Sequence, residues 1–147
     1  MLARREFSTT QIRDRLRQRG FEEAAITNAI VQLQHEGALD DHRTATAFAR
    51  TSLELKLRGR QRVVRDLEER LGVDRAVARA AVEKVYADVE ERELVERVLD
   101  RRHMGLVRST RTFRRLYNAL LRQGFEPSVI VGALKARSSD IVCSMDH

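Results

Sequence analysis

Arginines recur at helical spacing in the C-terminal third of this sequence, and the pattern suits binding of a negatively charged partner. One face of a predicted helix carries, at i, i+4, i+7 and i+11 spacing, Arg111, Arg115, Asn118 and Arg122. The opposite face carries Phe113 and Leu120. Residues 101–122 contain seven Arg and no Asp or Glu, so a positive field there could attract nucleic acid or an acidic protein surface.

Two groups of arginines are therefore candidate contact residues. The larger group comprises Arg108, Arg111, Arg114, Arg115 and Arg122, and a smaller stripe comprises Arg58, Arg62 and Arg65. The alternative interpretation is an ordinary solvated helix face. For the larger group we favour binding, because arginines without neighbouring acids repel one another and i, i+4 pairing normally relieves such repulsion.

Residues that could perform catalysis or bind a metal are scattered along the chain. The four histidines are His35, His42, His103 and His147. None has a second ligand at metal-binding helical spacing, and the neighbours Asp41 and His42 point in different directions. A Gly-rich phosphate loop is missing, and Cys143 has no neighbouring base that would activate its thiol. We therefore predict a non-enzymatic protein without a metal or other cofactor.

The elements that position the arginines repeat along the chain. Gly20, Gly72 and Gly124 stand 52 residues apart, and each is followed by one apolar and one acidic residue. The outer copies align without gaps at an offset of 104 residues, and their matched apolar or glycine pairs are Ile12 with Leu116, Leu16 with Leu120, Gly20 with Gly124, Phe21 with Phe125, Ile26 with Ile130, Ala29 with Ala133, and Ile30 with Leu134. Such a period predicts stacked helical repeats.

The predicted fold is all-α, an elongated curved stack of tandem three-helix repeats. We expect the first repeat at residues 1–57, the second at 58–105, an incomplete third at 106–137, and a frayed tail at 138–147. With 34% charged residues, 5% aromatic residues and no Trp, the 147-residue chain has little material for one large core. We expect a monomer.

Local signals fix several helix ends. Ser8 and Gln11 form a capping box, Gly20 ends the first helix in a left-handed conformation, and Asp40 or Asp41 caps the third helix. We place Asp74 as a later cap and Pro127 in the first turn of the last helix. We expect Phe21, Phe125 and Leu121 to make apolar contacts, and Glu93, Glu96, Arg97 and Asp100 to mark a solvent face.

Charge and cysteine content bear on environment and partners. The net charge of +6 equals the surplus of residues 101–147, which carry nine basic and three acidic groups. One Cys allows no internal disulfide, and no N-terminal segment resembles a signal or membrane span. We therefore expect a cytoplasmic protein without a membrane partner.

Three short helices with tight turns also suit helix-turn-helix DNA readers. Base reading needs polar side chains that project together from one helix. Here Glu22, Glu23 and Asp74 would bring negative charge to the turns that approach phosphates. Direct base reading is therefore disfavoured, whereas sequence-independent attraction to single-stranded or double-stranded DNA through the arginines stays open.

Several segments together resemble the bacterial RecX regulatory proteins over about residues 2–136. The first repeat supplies Leu2-Ala3-Arg4-Arg5-Glu6-Phe7-Ser8, Ile12-Arg13, Leu16 and Gly20-Phe21; the most specific segment is Glu36-Gly37-Ala38-Leu39-Asp40-Asp41 with Arg43 and Ala47-Phe48-Ala49-Arg50. Later repeats supply Val64-Arg65, Leu67-Glu68, Gly72-Val73, Phe113-Arg114-Arg115-Leu116-Tyr117, Leu120-Leu121 and Gly124-Phe125.

The resemblance implies a curved helical stack that binds the RecA recombinase filament in its deep groove. It further implies modulation, usually inhibition, of strand exchange, ATP hydrolysis and coprotease activity in DNA repair, recombination and the SOS response. No catalytic residues are implied. Two other hypotheses stay open from the residues: a DNA-binding helical module acting through the basic third repeat, and a structural adaptor for an unrelated partner.

Overall fold

The computed structural model describes residues 6–102 and 105–138. The described residues form eight helices and no strand: α1 Thr9–Gln18, α2 Glu23–His35, α3 Asp41–Glu54, α4 Arg60–Glu69, α5 Arg75–Val85, α6 Glu91–Arg102, α7 Thr110–Arg122 and α8 Pro127–Ala136. The predicted all-α class with tandem helical elements is confirmed. The predictions for His103, His147, Cys143 and the tail from residue 139 onward lie outside the described residues.

The described helices belong to two compact units. The first comprises the described parts of Met1–Thr51 and Val64–Ala87, and the second those of Ser52–Val63 and Asp88–His147. These boundaries fall inside α3 and α4, whereas the sequence pattern sets repeat boundaries between helices. The difference arises because each unit joins the start of one helix to a glycine turn from farther along the chain. The first unit joins the start of α1 to the turn at Gly72, and the second joins the start of α4 to the turn at Gly124.

The first unit begins with the predicted capping box. The Ser8 hydroxyl accepts the Gln11 N–H at 3.1 Å, and the Gln11 side chain accepts the Ser8 N–H at 2.9 Å. Gly20, with φ +89°, then ends α1. Between α1 and α2 lies a core of Ile26, Ile30 and Leu39, onto which pack Ile12, Leu16 and Leu33.

The two aspartates at the start of α3 have different roles. Asp40 is the cap, since its Oδ1 accepts the N–H groups of His42 at 3.0 Å and Arg43 at 3.3 Å. Asp41 instead accepts the N–H of Thr9 at 2.7 Å, so it ties the start of α1 to the start of α3. Both carboxylates therefore serve the fold.

Arg43, in the first turn of α3, makes further polar contacts in the same segment. Its guanidinium donates to the carbonyls of Gly37 at 2.9 Å and Ala38 at 3.2 Å, which follow the end of α2, and it pairs with Glu6 at 3.3 Å. The buried hydroxyl of Thr44 donates to the carbonyl of Phe7 at 3.1 Å. These polar groups therefore make their contacts with other groups of the same chain.

A contact between a helix start and a glycine turn holds α1 to the α4–α5 turn. The Ser8 hydroxyl donates to the Leu71 carbonyl, and the Thr10 hydroxyl donates to the Gly72 carbonyl at 2.9 Å. A Cβ on Gly72, whose φ is +64°, would lie 2.5 Å from the Thr10 methyl. We call this the first glycine-turn contact, and beside it Val73 is 3% exposed.

The second glycine-turn contact lies in the second unit, between the start of α4 and the α7–α8 turn. The Gly59 N–H donates to the Gln123 carbonyl at 2.9 Å, and the Arg62 guanidinium donates to the Arg122 carbonyl at 2.9 Å. A Cβ on Gly59 would lie 2.4 Å from the Gly124 carbonyl oxygen. Gly59 and Gly124 therefore permit an approach of two backbones that no other residue allows.

The second unit buries one apolar stripe from each of three helices. The buried residues are Leu94, Val95, Val98 and Leu99 on α6, Phe113, Leu116, Ala119 and Leu120 on α7, and Ile130, Ala133 and Leu134 on α8. Helix α8 packs against both α6 and α7, and Pro127 stands in its first turn as predicted. This packing fixes which face of α7 is left for solvent.

Two sequence expectations are wrong. Phe21 is 54% exposed and Leu121 is 43% exposed, whereas Phe125 is fully buried. Leu121 lies on the exposed side of α7 because Phe113 and Leu120 already face the core. Ser138, the one described residue of the expected tail, is buried, and its hydroxyl donates to the Leu134 carbonyl at 2.6 Å.

Candidate partner-binding surface

Helix α7 presents the larger group of candidate arginines. Ser109 caps its start, since the serine hydroxyl accepts the N–H of Thr112 at 3.1 Å. All members of the group are exposed: Arg108 in the preceding loop, and Arg111, Arg114, Arg115 and Arg122 on the helix. We call these five residues the cationic face of α7. For the four on α7, the common orientation follows from the helical period, which places them opposite the buried Leu120.

The charges of the cationic face are not compensated by described residues: none of its five arginines makes an ion pair with any of them. Arginines elsewhere in the described ranges do form such pairs: Arg13 and Arg17 with Glu23, Arg43 with Glu6, Arg75 with Glu68, and Arg92 with Glu96. The cationic face therefore keeps its positive field available for an anionic partner.

The smaller candidate group does not form one helix face. Arg58 lies before α4, partly buried, and follows Leu57, whose left-handed φ of +51° ends the preceding segment. Arg62 is on α4, and its guanidinium is engaged with the Arg122 carbonyl at 2.9 Å. Arg65 is exposed on α4 but belongs to the first unit, while Arg58 and Arg62 belong to the second. The geometry thus favours the cationic face of α7 over this stripe.

A charge cluster that the sequence analysis missed lies in the second unit. Arg137 donates to Glu96 at 3.1 Å through Nε and to Asp100 at 2.8 Å through Nη2. Its carbonyl accepts the N–H of Val107 at 2.8 Å, so Arg137 holds the end of α8, the middle of α6 and the loop before α7. Glu96 and Asp100 are thus ion-pair partners rather than a plain solvent face. The pairing partners stand about 40 residues apart, and no local pattern marks them.

Hydrogen bonding tunes the ionisation of this cluster. Partial burial by itself would raise the pKa of Glu96, but hydrogen bonds from Arg137 and Arg92 outweigh it, and the pKa lies below the usual value of 4.5. Burial likewise opposes the charged form of Arg137, but its hydrogen bonds to Asp100 and Glu96 prevail and raise its pKa. The charged forms are the ones that stabilise the fold.

Replacing Glu96 by Gln is expected to lower the free energy of unfolding by about 1–2 kcal/mol at neutral pH, because charge-assisted hydrogen bonds are lost. Since the folded pKa of Glu96 is depressed, its contribution is present above the unfolded pKa and disappears as pH falls through the folded value. Urea unfolding at pH 7 and near about pH 3 measures this, with the exposed Glu93→Gln as control. A deficit for Glu96→Gln that is equal at both pH values would contradict the assignment.

Other features of the described residues offer no enclosed reaction site. A shallow depression in the second unit is lined by acidic and apolar side chains, including Glu54, Asp88 and Glu90. Within residues 6–102 and 105–138, no group of three or more His, Cys, Asp or Glu side chains is arranged to hold a metal ion. None of the described helices is long and apolar enough to cross a membrane.

The fold places this chain among all-α tandem helical-repeat proteins. Residues 1–33 match the family model for the first three-helix domain of RecX. The regulatory protein RecX of Treponema pallidum (strain Nichols) is 31% identical, over 88% of this chain and 76% of that protein. The chain therefore belongs to the RecX family of regulatory proteins.

Further relatives agree with this assignment. The regulatory protein RecX of Thermotoga petrophila is 33% identical, over 82% of this chain and 69% of that protein. The crystal structure of RecX from Lactobacillus salivarius superposes with a TM-score of 0.67 over 89% of this chain and 85% of that one, at 20% identity. At that identity the structural match supports the fold alone.

Proposed function

We propose that this protein regulates a RecA-type recombinase by binding its filament on single-stranded DNA, with the cationic face of α7 as a principal contact. The observation that carries the proposal is the set of five exposed arginines, none paired with an acid among the described residues, in a chain that belongs to the RecX family. Guanidinium groups are attracted both to the DNA phosphates of such a filament and to any acidic protein surface beside them.

Inhibition would follow from binding alone. A protein that holds one conformation of adjacent filament subunits more tightly than the others shifts the population toward it. We expect strand exchange, ATP hydrolysis and coprotease activity to slow to the extent that each depends on a change of filament conformation. No residue of this chain then needs to act on a substrate covalently.

A non-enzymatic DNA-binding module is the second candidate, and the same cationic face favours it. DNA attracts such a face without regard to base sequence, and the affinity falls steeply as salt rises. The two functions differ in what must be assembled. Filament regulation requires recombinase on DNA, whereas the DNA-binding module requires DNA alone.

Titration of the recombinase filament decides between them. We expect the full chain to inhibit ATP hydrolysis and strand exchange on single-stranded DNA at protein concentrations below that of the recombinase. A parallel fluorescence-anisotropy titration with bare single-stranded and double-stranded DNA, in a salt series, measures direct DNA binding. Tight, salt-sensitive binding to bare DNA together with an unaffected filament would reject the first function in favour of the second.

A further inference from the structure

The turn between α1 and α2, which contains Gly20, lacks the contact that the equivalent turns at Gly72 and Gly124 make. In the first glycine-turn contact the Gly72 turn is covered by Thr10, and in the second the Gly124 turn is covered by Gly59 and Arg62. At Gly20, whose φ of +89° is like theirs, no atom of the described residues lies within 4 Å of where a Cβ would stand. The α1–α2 turn is open.

Exposure of the residue after each glycine agrees with this difference. Val73 is 3% exposed and Phe125 is fully buried, but Phe21 is 54% exposed. The Phe125 ring lies 2.9 Å from the position that a Gly59 Cβ would take, so the covering helix start is part of what buries it. Phe21 is exposed because nothing among the described residues covers its turn in the same way.

The start of one helix, α7, also lacks a contact with a glycine turn among the described residues. The starts of α1 and α4 sit on glycine turns through Ser8 and Gly59, but the equivalent start of α7, capped by Ser109, is exposed together with Arg111. The Ser109 hydroxyl donates to the Thr112 hydroxyl of its own helix at 2.9 Å, a hydrogen bond that a docked carbonyl group would replace. Among the three equivalent glycine turns and the three equivalent helix starts, one turn and one start therefore lack such a contact with any described residue.

We propose that the start of α7 in one copy docks on the Gly20 turn of a second copy and continues the repeat head to tail. In both internal contacts the cap residue donates to the carbonyl just before the glycine: Ser8 to Leu71 and Gly59 to Gln123. The same register assigns Ser109 as donor to the carbonyl of Arg19 in the second copy. Repeat proteins extend in this way when a terminal surface is complementary to the next unit.

Charge complementarity supports a second copy as the occupant. Two residues into α4, Gln61 donates to Glu126, which stands two residues after Gly124. The same register places Arg111, two residues into α7, opposite Glu22, two residues after Gly20. The Glu22 side chain makes no hydrogen bond or ion pair with any described residue. In the proposed contact, an ion pair between Arg111 and Glu22 takes the place of the hydrogen bond from Gln61 to Glu126.

The contact between copies is weaker than the internal ones. In this contact the residue before the helix is a serine and the residue after the glycine is a phenylalanine. The internal contacts instead bring together Ser8 with Val73, and Gly59 with Phe125. Phe21 must turn aside to admit Ser109, and its surface position allows this. Because the two docking surfaces differ, the interface is heterologous and can propagate beyond a dimer. The proposal replaces the monomer expected from the sequence.

Sedimentation velocity of the full chain at low salt, over increasing protein concentration, tests the proposal. We expect the average mass to rise with concentration, and Glu22→Arg or Arg111→Glu alone to weaken the association at least about tenfold through like-charge contact. An equimolar mixture of the two variants restores it, since every turn then meets an oppositely charged helix start. Arg97→Glu, at an exposed position on α6, keeps the association. Circular dichroism confirms that each variant is folded.

Two outcomes would overturn the proposal, and a measurement of recombinase regulation then shows what the open turn binds. A wild-type chain that stays monomeric at every concentration excludes the contact, and single variants that associate like the wild type assign the association to another surface. A monomeric chain in which Glu22→Arg weakens regulation of the recombinase would assign the open turn to that partner instead of a second copy.

Discussion

Replacing Gly124 by Ala is expected to destabilise the protein by about 2–5 kcal/mol, a large share of the stability of an ordinary domain. Two costs combine at this position. The backbone has a φ of +99°, which a residue with a Cβ adopts at a cost of about 1–2 kcal/mol. The new Cβ would also lie 2.4 Å from the backbone nitrogen of Arg62, so α4 and the α7–α8 turn must separate.

At each of two other glycines, only one of these two costs applies. Gly20 has a φ of +89° and open space, so Gly20→Ala carries the conformational strain alone, about 1–2 kcal/mol. Gly59 has no positive φ, but its Cβ would meet the Gly124 carbonyl at 2.4 Å, so Gly59→Ala carries the steric conflict alone, about 1–3 kcal/mol. Urea unfolding of the three variants, monitored by circular dichroism, measures each term. If Gly124→Ala cost no more than Gly20→Ala, the close backbone approach would not hold the second unit together.

Sequence reasoning succeeded where a signal is local. The capping box of Ser8 and Gln11, the left-handed Gly20 and the helical proline Pro127 each depend on residues within one turn of helix. Their hydrogen bonds and dihedral preferences are decided by near neighbours, so the pattern of residue types is enough to predict them. The same holds for the buried stripe of α7, which follows from a 3.6-residue period.

The two phenylalanines after glycines show where such reasoning stops. Phe21 and Phe125 share the local sequence Gly-Phe-Glu, and the repeat alignment treats them as equivalent. One is 54% exposed and the other fully buried, because Gly59 covers only the second. Gly59 is 65 positions from Gly124 in the sequence, and no local pattern connects them.

Long-range pairing also explains the two charge assignments that differ from expectation. Glu96 has the spacing of a solvent-face residue, yet Arg137 binds it from the end of α8. The Asp40 and Asp41 carboxylates are indistinguishable as caps in sequence, and the structure separates them because Asp41 reaches the N–H of Thr9. The most family-specific segment of the chain, around these aspartates, therefore stabilises the fold, which moves the search for a partner surface to α7.

Replacing Arg111, Arg115 and Arg122 together by Ala is expected to raise the protein concentration needed for half-maximal inhibition of the recombinase about ten- to hundredfold. Three exposed charge contacts worth about 0.5–1 kcal/mol each sum to that range. The fold should persist, since all three side chains are exposed, although the Arg122 carbonyl must remain in its contact with Arg62. Unfolding measurements on the variant check this directly.

A matched variant separates the cationic face from charge in general. Arg70, Arg79 and Arg97 are also exposed, and replacing them by Ala removes the same net charge from parts of the chain outside α7. If inhibition depends on the cationic face of α7, this control keeps nearly wild-type potency, and raising salt weakens the wild type more than the α7 variant. Equal losses in the two variants would mean that only net charge matters. The filament would then attract the whole chain as a diffuse polycation, and α7 would have no special place in recognition.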